Sequence, residues 1–443
     1  MRYDVDATWS RAGDGGRIVL AGSPFRVFRL TEAGGRVATR IENGDDVESA
    51  LADRLRDAGA IHPRPETSER YSTSDVTVVT PQLGGEVAGD GRVTVDDASS
   101  PPLDGATIRL DVNRGPAGAR NAGRAHADTE LIAFVDADVV LAHPASDRSP
   151  AAERWWAPLL GHFDDPTVGL VAPRVTGDDS SSLDLGSAPA RIRAGTRVSY
   201  VPAATIVVRA SAFDDVGGFD ETLRFGEDVD LVWRLDQAGW RCRYEPARSV
   251  HHRPRTSVLA RVRQQIGYGS SSAPLALRHP GALAPVRSNG WTAAVWSAAA
   301  LGHPVVGAGI AVASSAALVP KLSDVDPAVS LRIAATGHLQ AGRQVATAVR
   351  RAWWPIVLVA SLVSRRARWI GLLAVLEGPR RVLVDVSFGW GMWSGMIRHR
   401  EWGPIIPSVT SWPARTSARA SVRTSLRTPR SAPDPDRSRR SSR

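Results

Sequence analysis

Apolar positions along the chain follow three successive patterns. Between Arg17 and Leu30, two short apolar-rich runs broken at Gly22-Ser23-Pro24 predict a pair of strands. Thr31 is placed to cap a helix. Asp45-Asp46 is placed to open a second one, because Val47, Leu51, Leu55 and Ala58 recur at helical spacing before Gly59. Residues 1–66 therefore read as a small α+β module, with a linker over 67–74. From Asp75 the pattern changes to continuous β-branched runs at Val76–Thr80, Val93–Val95 and Leu131–Val135, as a sheet covered on both faces requires. Gly115–His126 between two of them predicts a helix, and Cys242–Glu245 a further strand. This alternation predicts an α/β domain over 75–255, built on an open, mostly parallel, Rossmann-like sheet with its chemistry at the strands' carboxyl ends.

The third pattern, over 256–413, is helical and partly apolar. Trp291–Pro320 contains no Asp, Glu, Lys or Arg and is long enough to span a bilayer, but it is rich in Ala and Gly and carries His303-Pro304 at its middle. A membrane span or helical hairpin, an interfacial segment and a buried core helix all fit. Trp353–Val363 and Trp369–Leu376 are apolar but too short to span.

Composition changes this picture in two places. The formal charge of +9 suggests nucleic acid until it is located: residues 414–443 hold nine arginines against Asp434 and Asp436, so seven of the nine net charges lie in a tail. The body is near neutral, which argues against a nucleic-acid surface. A tail of Arg, Ser and Pro reads as disordered, although Arg415, Arg419, Arg423 and Arg427 also fit a basic helical stripe against anionic lipid. Cys242 is the single cysteine, which excludes an intrachain disulfide and a thiolate metal cluster. With no basic-then-apolar leader in the first thirty residues, the expected place is inside the cell, on the cytoplasmic side and associated with the membrane.

Four acidic or small-residue sites follow in order. Asp96 and Asp97 close an apolar run and are placed to accept hydrogen bonds from a base or ribose; an ordinary turn before Ser99-Ser100-Pro101 explains them equally. The helix opened by Gly115-Pro116 presents backbone N–H groups to the crevice, with Arg120 and Asn121 as donor-binding candidates; a tightly packed Ala/Gly helix is the plainer alternative. Asp136-Ala137-Asp138 ends the Leu131–Val135 run, and two carboxylates there suit Mg²⁺ or Mn²⁺ shared with substrate phosphates. Last comes Gly217-Gly218-Phe219-Asp220-Glu221 with Gly226-Glu227-Asp228-Val229-Asp230, where Asp228 is placed as a general base and Glu227 as its neighbour, unless both merely favour a helix start. His251 and His252 are candidate imidazole ligands to the metal.

In this order the sites resemble the family-2 glycosyltransferases of GT-A fold, over roughly residues 75–255. The resemblance implies inverting transfer from a nucleotide sugar with a divalent metal. The processive-synthase signature Gln-x-x-Arg-Trp is absent, and Pro81–Val93 is a Gly-rich loop where the family carries a helix. The flanks, Gly22–Leu30, Asp57–Pro65 and Tyr268–Ala276, narrow the resemblance to the mycofactocin-biosynthesis glycosyltransferases of actinobacteria. That implies UDP-glucose as donor, a peptide-derived redox cofactor as acceptor and a β-1,4-glucan product. The N-terminal module is similar to winged-helix peptide-recognition units, with an edge strand near Arg26–Arg29; a plain structural extension fits as well. Two further readings stay open: a membrane-associated transferase acting on a lipid-linked or cell-wall acceptor, and a degenerate, non-catalytic binding protein.

Overall fold

Leu131–Val135 is buried at every position because it serves two cores at once. Ile132 and Phe134 face one apolar cluster, with Val79, Val95 and Leu231. Leu131, Ala133 and Val135 face another, with Trp156, Leu160 and Val171. A strand covered on both faces has no polar side to offer, hence its unbroken apolar run.

The structure, a computed structural model, describes residues 1–87, 91–143, 149–177, 183–253 and 257–410. The basic tail and part of the Gly-rich loop lie outside the described residues.

The central sheet runs in the order Val139–Val140, Arg241–His252, Val168–Thr176, Thr205–Arg209, Leu131–Val135, Val76–Gln82, Val93–Asp96 and Ile108–Arg109, with Ala190–Ile192 also paired to Arg241–His252. Val76–Gln82 is parallel to both of its neighbours, whereas Thr205–Arg209 is antiparallel to both of its own. The expected α/β sheet is therefore present and mixed. Helix Gly115–Ala125 lies on it by means of small residues. A Cβ on Gly123 would collide with Val79 and stand 3.2 Å from Val95 Cγ2.

At the N-terminus, Ser10–Ala12, Ile18–Ala21 and Arg26–Arg29 form an antiparallel sheet, and Thr31 caps helix Glu32–Glu42 as expected. The next helix differs. It starts at Ala50 with Ser49 as its cap, because Asp46 is drawn to the chain's amino terminus at 2.9 Å and is not available to a helix. Val19, Ile41, Leu55 and Ile61 form the module's own core. Ile18 and Leu20, on the sheet's other face, pack on Val325 from the C-terminal region, and Arg29 pairs with Asp324 at 2.6 Å. Arg26–Arg29 is an edge strand held at one end.

Beyond the sheet, helix Val382–His399 packs against Val258–Ser270 through glycines. A Cβ on Gly391 would collide with the Ile266 backbone, and one on Gly269 with that of Phe388. Trp291–Pro320 resolves into a hairpin: helices Gly290–Ala300 and Pro304–Ala316 turn at Gly302, whose positive φ and the following His303-Pro304 end the first helix.

Candidate active site

Where Leu131–Val135 ends, the Asp136 N–H donates to Ala204 O at 2.9 Å and the Val139 N–H to Asp136 O at 3.0 Å. This tight turn leaves Asp136 and Asp138 at one rim. The antiparallel pairing of Val139 with His252 brings His252 Nε2 to 3.3 Å from Asp138 Oδ2, while His251 lies opposite Val140. Among the described residues, no three His, Cys, Asp or Glu side chains are gathered for a metal ion. Asp138 and His252 form an oxygen–nitrogen pair, which fits one edge of a Mg²⁺ or Mn²⁺ shell whose remaining ligands come from phosphate and water. Asp136 is turned elsewhere.

It is turned to Arg120. The guanidinium, almost wholly buried, donates from Nη2 to Asp136 Oδ1 at 2.6 Å and from Nη1 to Glu227 Oε1 at 2.9 Å, and it lies 5.2 Å from the Phe219 ring centroid. One cation thus ties the strand-end carboxylate to the start of helix Glu227–Ala238, two stretches some ninety residues apart. Asn121, next along, grips the glycine turn: its amide donates to Phe219 O at 2.9 Å and Glu221 Oε1 at 3.0 Å, and its carbonyl accepts from Phe219 N–H at 3.0 Å. Gly218 in that turn has φ +70°, and a Cβ there would stand 2.9 Å from Asn121 Oδ1. The Asn121 side chain therefore holds protein rather than facing open crevice.

Asp97 accepts the N–H groups of Arg114 and Gly115 at 2.7 and 2.8 Å, so its charge sits at the positive end of helix Gly115–Ala125. Asp96 is fully buried and occupied by the loop that follows it, through Ser99 N–H, Leu103 N–H and Arg109. Burial alone would raise its carboxyl, but these partners hold it down at about 2. Both aspartates therefore hold protein backbone, Asp96 the loop after it and Asp97 the start of the helix.

Asp228 differs from its neighbours. Its carboxylate accepts Val229 N–H at 2.8 Å and Ala203 N–H at 3.3 Å, and it has no cationic partner within ion-pair distance among the described residues. Burial, then repulsion from Glu227, push it up to about 7. Two groups that spacing alone did not mark stand near it. Burial raises the Tyr200 hydroxyl, which feels the charges of both Arg351 and Asp228. Arg351 closes helix Pro327–Arg351 and stacks 3.5 Å from the Phe388 ring centroid, so the C-terminal region lies on the Asp228 side. Asp230, one turn in, is buried against His279 at 2.9 Å and Arg234 at 2.7 Å and anchors the same region to the helix.

The chain is similar to several known proteins. The profile of Glycosyl transferase family 2 matches residues 95–190. The Pre-mycofactocin glycosyltransferase of Mycobacterium tuberculosis (strain ATCC 25618 / H37Rv) is 36% identical over 471 aligned positions, spanning 91% of this chain and 97% of its own. The Succinoglycan biosynthesis protein ExoA of Rhizobium meliloti (strain 1021) is 33% identical over 22% of this chain and 36% of its own. Among solved structures, the mannosyltransferase PcManGT from Pyrobaculum calidifontis, in complex with GDP-Man and Mn²⁺, aligns over 76% of this chain and 90% of its own, with 17% identity and a TM-score of 0.42.

Arg120→Met leaves Asp136 and Glu227 facing one another without a cation. Urea unfolding is expected to show a loss of about 3 kcal/mol, as for a buried ion pair stripped of one partner. Unchanged stability would show that the three groups do not form one unit.

Proposed function

Since the chain belongs to the family-2 glycosyltransferases, we propose that it transfers a hexose with inversion, glucose from UDP-glucose, to a peptide-derived redox cofactor of the mycofactocin type and extends a β-1,4-glucan on it. The full-length similarity to the pre-mycofactocin enzyme supports the acceptor class. The observation that carries the chemistry is the division of labour between adjacent carboxylates: Arg120 claims Glu227, while Asp228 keeps an unpaired carboxyl.

Inverting transfer forms a bond from an acceptor oxygen to the anomeric carbon as the bond to the diphosphate oxygen breaks on the opposite face. Asp228 takes the acceptor hydroxyl's proton, and a carboxyl near 7 suits a base working at neutral pH. Glu227, held by Arg120, orients the acceptor. Asp138 and His252 would hold a Mg²⁺ or Mn²⁺, which would offset charge on the leaving diphosphate, while Asp136 at the same turn stays paired with Arg120. Arg120 and Asn121 fix the helix and turn that frame the donor.

The place of action is proposed from surface chemistry. Leu358, Leu362, Val363, Leu373 and Leu376, on helices Trp354–Val363 and Arg365–Glu377, are all more than half exposed, and Arg365, Arg366, Arg380 and Arg381 flank them. Pro304–Leu322 is long and apolar enough to cross a membrane and is almost unburied. Apolar surface rimmed by arginine matches an anionic bilayer, here on its cytoplasmic side. A lipid-linked or cell-wall acceptor is the reading this surface favours in second place.

Asp228→Asn is expected to lower kcat by about 10²–10⁴-fold with UDP binding retained. Wild-type kcat/KM should rise with pH through about 7, as the carboxyl becomes the competent carboxylate. Mass spectrometry of hexose addition to the peptide-derived acceptor reads both; equal turnover by the variant would refute the base. Full-length protein should float with anionic phospholipid vesicles, and Leu362→Asp with Val363→Asp should reduce that. Protein that stays in the aqueous fraction at every lipid composition would contradict membrane association.

A further inference from the structure

Away from the crevice, the N-terminal module meets the catalytic sheet across a cavity of about 320 Å³. Arg243, on strand Arg241–His252, lines it while remaining only 2% exposed. None of its three guanidinium nitrogens has a hydrogen-bond partner among the described residues. Its surroundings increase the cost of that charge. Burial and then the charges of Arg191, Arg56 and Arg241 push it down to about 9, with Asp165 opposing.

The nearby acids are already engaged. Asp165 accepts from Thr167 N–H at 3.0 Å, Thr167 Oγ1 at 2.6 Å and Arg241 at 3.1 Å. Asp53 pairs with Arg56 at 2.9 Å, and Glu245 with His162 at 2.9 Å. Glu48 lines the cavity as an exposed residue. A desolvated guanidinium without a counter-charge is strongly unfavourable, and water bridges its N–H groups without neutralising it. The planar fork of arginine matches an oxyanion through two parallel hydrogen bonds. Arg56 Nε, also buried and without a hydrogen-bond acceptor among the described residues, adds a donor from the module's side. The cavity exceeds the volume of a single water several-fold, leaving room for an ion and its hydration.

We infer that the junction between module and catalytic domain is a binding site for a small oxyanion, phosphate or carboxylate, received by Arg243 and closing the two units on each other.

The site lies outside the donor crevice, so its test does not depend on the proposed transfer reaction. Inorganic phosphate and, separately, acetate are titrated calorimetrically into metal-stripped, full-length protein at chloride-matched ionic strength, with thermal unfolding followed in parallel. At least one oxyanion is expected to bind at a single site and raise the apparent Tm by about 3 °C, where chloride does not. Phosphate alone would identify a free-phosphate site; acetate alone or both would admit a carboxylate-bearing chain. Arg243→Met should lose the response while melting at an equal or higher temperature without ligand, because an uncompensated buried charge has been removed. Arg243→Lys should fold and bind more weakly, keeping the charge without the fork. No binding of either oxyanion to the wild type, undiminished binding by either variant, or displacement of the ion by UDP would overturn the assignment.

Discussion

Arg120 is the interaction on which the rest of the crevice depends. A guanidinium this deeply buried must be paired, and its two carboxylate partners come from a strand end and a helix start far apart in sequence. Pairing both at once fixes the distance between them. The helix that carries Arg120 is itself fixed: Asp97 binds its first N–H groups, Gly123 lets it approach the sheet closely, and Asn121 locks the glycine turn leading to Glu227. From Gly115 to Arg120 the helix rises about 7–8 Å, so a carboxylate at its start and a guanidinium further along define one wall of the crevice.

The same pairing separates the roles of two consecutive carboxylates. Glu227 is ion-paired with Arg120, and its remaining negative field adds to the burial that raises Asp228. Environment, rather than residue type, sets the two apart, which is what the proposed roles of orienting group and base require. The C-terminal helices lie on the Asp228 side of the crevice. Their attachment through Asp230–His279 and through glycine-mediated helix crossing holds Arg351 there, where its charge acts on Tyr200.

Elements whose cause is local were legible in the sequence. Leu131–Val135, helix Gly115–Ala125 and the Thr31 cap each follow from a run of residues that determines its own conformation. The neighbourhood of Asp136, Glu227 and Asp228 was legible too, from the order of acidic groups at element ends. Distant partners were not. Asp45-Asp46 carries the signature of a helix start, but the chain's amino terminus takes Asp46 and Ser49 caps instead. Asn121 and Asp96 have residue types that suit a ligand, yet their polar atoms are occupied by protein, which no spacing reveals. Arg243 sits in a strand that also carries Arg241, Glu245 and Arg248, so nothing in its spacing sets it apart, and its burial without partners is a property of the folded chain. Trp291–Pro320 left a membrane span or helical hairpin, an interfacial segment and a core helix open, and Gly302-His303-Pro304 breaks it into two helices through backbone conformation.

The central claim is that separate acidic stretches converge on one divalent ion and one nucleoside diphosphate. Calorimetric titration of UDP into full-length protein, with and without Mn²⁺, tests it most directly. Saturable 1:1 binding that requires Mn²⁺ and is lost in Asp138→Ala is the predicted result. Absence of heat at roughly millimolar UDP, or identical binding without metal and in the variant, would contradict it.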